Sequence, residues 1–418
     1  MSLQGPVIVV SEKRSSKLVE AISIAGTFPV IETCCDRAPT VIAAADPTAI
    51  ILADRRAATD RGLADCLNSH INRTGPIVPV IACAGSEDTL PYRDALMIGR
   101  ECTPAAVSSR LASVLRVRTL HASVLRRMET IRISGKTVPP MPDSDPLEDA
   151  TVILAGRSRS YPELSVGLGS QTGLIGVLTI EAAARFLRNR DADGLVIGDG
   201  FQPQSVEAVL SVVAENSRFR DLPIGVLGDQ LSIDERELPH LIFADDAQSL
   251  IRKILPLVRL HAFERRLRRM LENFDQEGAM DPDTSLLYPA AFIAELERLL
   301  RDASQRSSGL SLARFIFDPG FDERAIQDAC RLIGKIKRSA DLACLEDDGT
   351  VLLAFAETDM RRAQQVTRRI SNVLKHSMVL PGNPRQPATP RVILTRRKSA
   401  DTVASLLSRV TIPAVAAE

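Results

Sequence analysis

Few places in this 418-residue chain gather side chains that could do chemistry. Arg338-Ser339-Ala340-Asp341 sets a guanidinium three residues ahead of a carboxylate. A guanidinium can donate parallel hydrogen bonds to the O6 and N7 edge of guanine or to a phosphate, and a carboxylate can accept from guanine N1 and N2. After five further residues, LACLE, comes Asp347-Asp348-Gly349-Thr350-Val351. Two other acids, Asp54 and Asp199, end the apolar runs TAIILAD and DGLVIGD, where a carboxylate could accept a phosphoryl group if metal and cation stood beside it. Other chemistries have no carrier. The five histidines (70, 121, 240, 261 and 376) show no paired metal spacing, the seven cysteines no CxxC, and no Walker loop, nucleophile elbow or HExxH is present.

The elements that must hold these residues fall into three series. PVIVV (6–10), TAIILAD (48–54) and VPVIACAG (78–85) read as buried strands, and SSKLVEAISIAG, RGLADCLNSHI and AAVSSRLASVLRVRTLH as helices. KTVPPMPDSDPLED (136–149) reads as a linker. The alternation then restarts with ATVILAG (150–156), GLIGVLT (173–179), DGLVIGD (193–199), LPIGVLGD (222–229) and HLIFADD (240–246). Leu120-His121-Ala122 with Arg126-Arg127-Met128 is echoed by Leu260-His261-Ala262 with Arg268-Arg269-Met270, which points to an internal duplication. Strands alternating with helices imply a parallel sheet covered on both faces. The third series, from Asp281, predicts a helix in DPDTSLLYPAAFIAELERLL, a strand LSLARFIF (310–317) and a helix ERAIQDACRLIGKI. ADLACLEDDGTVLLAFAE (340–357) is a hairpin turning at Asp348-Gly349, and a helix MRRAQQVTRRISNVL and a strand RVILT (391–395) follow.

Composition narrows the class. Hydrophobic residues at 45% and charged residues at 25% suit a globular protein of two or three domains. Lys+Arg and Asp+Glu both total 52, so no overall basic field argues for nucleic acid. Cysteines in apolar runs suit reduced thiols, no apolar run spans a bilayer, and MSLQG leading directly into VIVV lacks a signal-peptide layout; a cytoplasmic protein is expected.

Residues 1–135 and 150–275 resemble response-regulator receiver domains, and residues 279–413 resemble the GGDEF domain of diguanylate cyclases. The layout resembles the PleD-type response regulators, closest in character to their non-catalytic PopA-like members. The resemblance implies an α/β protein with two CheY-like (flavodoxin-like) domains and a GGDEF-type domain with a mainly antiparallel sheet. Against the family's opening DxLTGLxNRRxF, Asp281, Thr284, Leu286 and Phe292 match, while Tyr288 and Pro289 replace Asn and Arg. The GGDEF hairpin aligns with Asp347–Val351, in a register fixed by AETD (356–359): Asp347 and Asp348 replace the glycines and Thr350 the acid. Phe317 stands at the metal-binding aspartate, with Asp318 beside it, and Phe321 runs into Asp322-Glu323 without the family's nucleotide-cradling segment. By resemblance, Arg338 and Asp341 form the RxxD product-binding site, with Arg368 or, closer to the pattern, Arg369 as a second arginine. The bland alternative is a solvated ion pair at a helix end.

In the first receiver-like segment Asp54 takes the phosphoacceptor position, Ser11-Glu12 is what remains of the acidic pair, with Glu12 the candidate metal ligand, and Ala84 and Thr103 replace the hydroxyl residue and lysine. A structural acid at a strand end is the equal alternative. In the second, Asp199 is the acceptor position, Gly156-Arg157 replace the acids, Gly228 the hydroxyl residue and Asp245 the lysine. The helix through LHAFERRLRRMLENF (260–274) offers either a seam toward a partner helix or a cover for its own domain. The reading that follows is an inactive GGDEF response regulator acting as a cyclic di-GMP effector, with Mg2+ doubtful. Implied partners are proteins of protease-adaptor or polar type, with homodimerisation and cell-pole localisation. A residual, phosphorylation-switched diguanylate cyclase and a ligand-free scaffold are the alternatives.

Overall fold

The computed structural model of the chain describes residues 6–12, 16–24, 29–71, 75–84, 90–92, 94–98, 103–133, 140–228, 238–274, 280–281, 283–306, 308–318, 321–377, 379–380, 383–387 and 390–411. Val7–Val10 (β1), Ala49–Leu52 (β3), Val80–Cys83 (β4) and Leu96–Ile98 (β5) are apolar on both faces and wholly buried, as strands of a doubly covered parallel sheet must be. With the edge strand Val30–Thr33 (β2) they form a parallel sheet in the order β2-β1-β3-β4-β5. This is the flavodoxin-like doubly wound order. Ser16–Ile24 (α1) and Pro104–Ile133 (α5) cover one face; Ala38–Ala45 (α2), Arg55–Thr59 (α3) and Arg61–Ile71 (α4) cover the other. The short β2 and β5 and the helices α2 and α3 have too few apolar repeats to stand out in the sequence.

The second sheet repeats the plan. Thr151–Ala155 (β6), Gly173–Val177 (β7), Gly194–Ile197 (β8), Ile224–Leu227 (β9) and Leu241–Ala244 (β10) pair in the order β7-β6-β8-β9-β10, again all parallel. Tyr161–Gly169 (α6) and Ala247–Phe274 (α9) cover one face, Ile180–Asn189 (α7) and Pro203–Glu215 (α8) the other. Identical strand order in both halves accords with the internal duplication read from the sequence.

Helices α5 and α9 pack against each other, so the cores on the facing sides of the two sheets merge into one apolar cluster. The expected seam on α9 is spent here: Leu267, Leu271 and Phe274 are buried against Val117, Leu120 and Val124 of α5. The seam thus meets a partner helix that the same chain supplies. The linker is docked too: Arg259 donates to Asp145, and Arg266 to Ser144 and Asp149, around a 3-10 turn at Pro146–Asp149.

The third sheet is antiparallel throughout, in the order β12-β13-β11-β16, from Leu310–Ile316 (β11), Leu342–Leu345 (β12), Val351–Ala356 (β13) and Arg391–Arg396 (β16). Val379–Leu380 (β14) and Asn383–Pro387 (β15) form a separate two-stranded ribbon. Glu323–Ile336 (α11) and Met360–Ser377 (α12) lie side by side on one face of the four-stranded sheet; Pro289–Gln305 (α10) and Val403–Ser408 (α13) take the other. Helix α10 joins this unit to α5 through a buried polar cluster: Glu295 accepts from Arg127 Nε at 2.8 Å and Thr130 Oγ1 at 3.2 Å, and Arg298 donates to the Arg126 carbonyl. Among the described residues no helix is long and apolar enough to cross a membrane. Cys34, Cys35, Cys66, Cys330 and Cys344 are free thiols, and the expectation of reduced thiols is corrected at Cys83, which is disulfide-bonded.

Candidate ligand site and strand-end acids

Helix α11 ends at Ile336, and Arg338–Asp341 turn the chain into β12. The turn is closed from within. Asp341 Oδ2 accepts from the Arg338 backbone N–H at 3.2 Å, its Oδ1 accepts from Ala356 N–H at 3.3 Å, and its own N–H donates to the Arg338 carbonyl. Only 3% of Asp341 is exposed. Burial pushes its carboxyl up to about 6, partly offset by the Arg338 charge and backbone hydrogen bond. The Arg338 side chain, by contrast, is exposed. Arg338 and Asp341, which the resemblance joins in one binding site, therefore do not present their side chains together to solvent. Asp341 lines a cavity of about 200 Å3 with Lys337, Ser339, Arg127 of α5 and Arg268 and Glu272 of α9, and Arg338 is not among the lining residues. The physical reason is local: a turn between helix and strand leaves amide donors to satisfy, and the nearest carboxylate satisfies them.

Arg368 and Arg369 are exposed on α12, whose Ala363, Ile370 and Leu374 are buried in the sheet. Arg338 thus stands on the turn that follows α11, and Arg368 and Arg369 on α12, the helix beside α11.

The hairpin forms where Asp348-Gly349 predicts it, with Gly349 at φ +76°, a conformation that favours glycine. Two of its carboxylates, those of Asp348 and Glu346, are occupied. Asp348 Oδ1 accepts from Thr350 N–H at 3.0 Å and Thr350 Oγ1 at 2.6 Å, and Asp348 Oδ2 lies 3.1 Å from Arg314 Nη1. Glu346 lies 3.6 Å from the same guanidinium. Burial alone would raise the Asp348 carboxyl, but the Thr350 hydrogen bonds and the Arg314 charge outweigh it and hold it below its ordinary value. Arg314, an internal cation beside the hairpin acids, escaped the sequence reading; the lone arginine inside LSLARFIF was its signal. At the end of β11, Phe317 is buried against Phe321 while Asp318 is exposed, and residues 317–322 alone connect β11 to α11.

In the first sheet, Asp54 ends β3 and caps α3: Oδ1 accepts from Ala57 N–H at 2.9 Å and Oδ2 from Glu12 N–H at 2.7 Å. The Glu12 carboxylate is ion-paired with Arg56, and Thr103 Oγ1 accepts from Ala106 N–H. In the second sheet Asp199 accepts from both Ser158 and Ser160, which holds its carboxyl below the usual range, and Arg157 lies over the Phe201 ring. Among the described residues no group of three His, Cys, Asp or Glu side chains converges as a metal site.

No protein-family model matches the chain, and no curated protein matches it in sequence. Solved structures similar to part of it include GGDEF-domain structures. The coiled coil and GGDEF domain of DgcB from Caulobacter crescentus, in complex with c-di-GMP, is 20% identical over 35% of this chain and 83% of that one, with a TM-score of 0.30. Diguanylate cyclase SiaD with its activator SiaC, from Pseudomonas aeruginosa, is 19% identical over 35% of this chain and 62% of that one, with a TM-score of 0.31. The FimX GGDEF domain, also from Pseudomonas aeruginosa, is 14% identical over 32% and 88% of the two chains, with a TM-score of 0.28.

Proposed function

We propose that this chain is a non-catalytic cyclic di-GMP effector, in which two receiver-like units serve as an adaptor platform for a degenerate GGDEF-like unit. The observation that carries the reading is the division of labour at the RxxD turn. Asp341 holds the turn by its backbone, while Arg338 is exposed together with Arg368 and Arg369 on the adjoining helix. Arginine forks suit guanine edges and phosphates equally, so Arg338, Arg368 and Arg369 are the groups assigned to grip the two parts of a cyclic dinucleotide. Asp341 then acts as a positioning residue for Arg338 rather than as a ligand contact. Three features argue against turnover of GTP. Phe317 fills the position of a metal-binding carboxylate, only residues 317–322 stand where a nucleotide-cradling loop would be needed, and Arg314 pairs with two of the hairpin acids, Glu346 and Asp348, that a divalent cation would otherwise compete for.

Calorimetry of the full chain with cyclic di-GMP tests the binding half. Saturable binding is expected, weakened roughly 10- to 100-fold by Arg338→Ala, the worth of about 1.5–3 kcal/mol of charge-assisted hydrogen bonds. Unchanged affinity in that variant, or no heat at all, rejects the reading. Incubation with GTP and magnesium tests the catalytic half, and protein-dependent release of pyrophosphate would refute it.

A further inference from the structure

A second cavity, of about 780 Å3, opens at the opposite end of the first sheet from Asp54. Its walls come from the segment 75–80 leading into β4, from α5, from α9 and from the docked linker. The volume lies within the roughly 300–1,000 Å3 typical of small-molecule sites. Leu125, Met141, Leu260, Phe263, Ile77 and Val78 give it a largely apolar lining.

Asp46, Asp94 and Asp143 balance Arg118, Arg259 and Arg306 in number around the lining, but they do not pair off evenly. Arg259 is paired with Asp94 and Asp145, and Arg306 lies 3.6 Å from Asp46. Arg118 is different. It is 1% exposed, and its Nε and Nη1 have no hydrogen-bond partner among the described residues. Burial, and then the neighbouring Arg306, lower its pKa to about 10, which leaves it charged at neutral pH. Glu357, Asp46 and Asp302 act on it only through space; the Glu357 carboxylate accepts from Thr119, and Arg126 approaches Asp302 at 3.6 Å. An enclosed guanidinium with vacant N–H groups costs several kcal/mol unless an anion answers it.

We propose that this cavity binds an amphipathic organic monoanion, an apolar body bearing a single carboxylate, whose head pairs with the Arg118 guanidinium once that side chain turns from its sealed position into the cavity, while its body packs on Leu125, Leu260 and Phe263. A dianion is disfavoured because Asp46, Asp94 and Asp143 share the lining. A neutral apolar molecule leaves the guanidinium unanswered. Because the walls come from both sheets' last helices and from the linker, occupancy would couple a metabolite to the packing of α5 on α9.

The test is calorimetry of the full chain with decanoate, using decanamide as the uncharged analogue and acetate as the head without the body. Decanoate is expected to bind once per chain, with decanamide and acetate each at least about tenfold weaker. Arg118→Met, which keeps length and removes charge, should reduce decanoate affinity at least about tenfold. Should that variant fail to fold, Leu125→Trp supplies the second arm by filling the cavity from α5, and it too should abolish uptake. Absence of binding, equal affinity for decanamide, or binding that survives either substitution in a folded chain overturns the proposal.

Discussion

The two parallel sheets share one topology, yet they spend equivalent charges differently. Asp54 and Asp199 both stand just past the central strand of their sheets; the first is locked by two backbone amides and the second by two serine hydroxyls. Their last helices diverge in the same way. Arg127 of α5 reaches out of its own half to the buried Glu295, whereas Arg265 and Arg266 of α9 serve their own half and the linker through Asp193 and Asp149. The duplicated scaffold fixes where a charged side chain stands. Which partner it finds is decided by neighbours outside the repeat.

The largest expected effect breaks the asymmetry between the helices. Glu295 is 1% exposed and faces Arg127 and Thr130, so Glu295→Ala breaks a buried ion pair and should cost about 3 kcal/mol. Asp149→Ala removes a half-exposed carboxylate from Arg266 and should cost no more than about 1 kcal/mol. Chemical denaturation at neutral pH measures both. Equal losses would mean that α5 and α9 are used alike, contrary to the contrast drawn above.

Next in size is Asp341, whose carboxyl is raised from 3.8 to about 6 chiefly by burial. Below its ordinary value the carboxyl is protonated in folded and unfolded chains alike. As pH climbs between 3.8 and about 6 the unfolded chain has released the proton and the folded one still holds it, so stability falls and then levels off. The loss is on the order of 3 kcal/mol for a shift of that size. Asp341→Asn should flatten this part of the stability profile; a slope that persists unchanged would assign it to other groups.

Much of the scaffold was legible in the sequence because its signals are local and redundant. All five strands of the second sheet lie within the apolar runs that announced them, and Asp348-Gly349 sits at the turn of its hairpin. The edge strand VIET and the three-residue β5 gave no such signal, since an edge or a very short strand carries too few buried positions to show a pattern. The site was legible in register but not in orientation. Spacing placed Arg338 and Asp341 on one turn, but which of them faces solvent depends on the amide of Ala356, fifteen residues away from Asp341. The same holds for Arg314 and Arg118, whose meaning rests on partners present or absent across the fold rather than along the chain.

The smallest effect is the sharpest test of the duplicated halves. Asp54→Ala deletes a helix cap and strands two backbone amides, Ala57 N–H and Glu12 N–H, which cannot turn away to find another acceptor. Loss of a cap costs about 1 kcal/mol, and a second amide left short of a partner raises the sum toward 2. Asp199→Ala releases two serine hydroxyls, which rotate toward solvent or toward each other, 3.2 Å apart, so the loss should stay below about 1 kcal/mol. The difference between the two variants, measured by thermal or urea denaturation, therefore reports donor rigidity rather than position in the sheet. If Asp199→Ala proved as costly as Asp54→Ala, the carboxylate at this strand end would owe its worth to the shared topology, and the local account given for Asp54 would have to be abandoned.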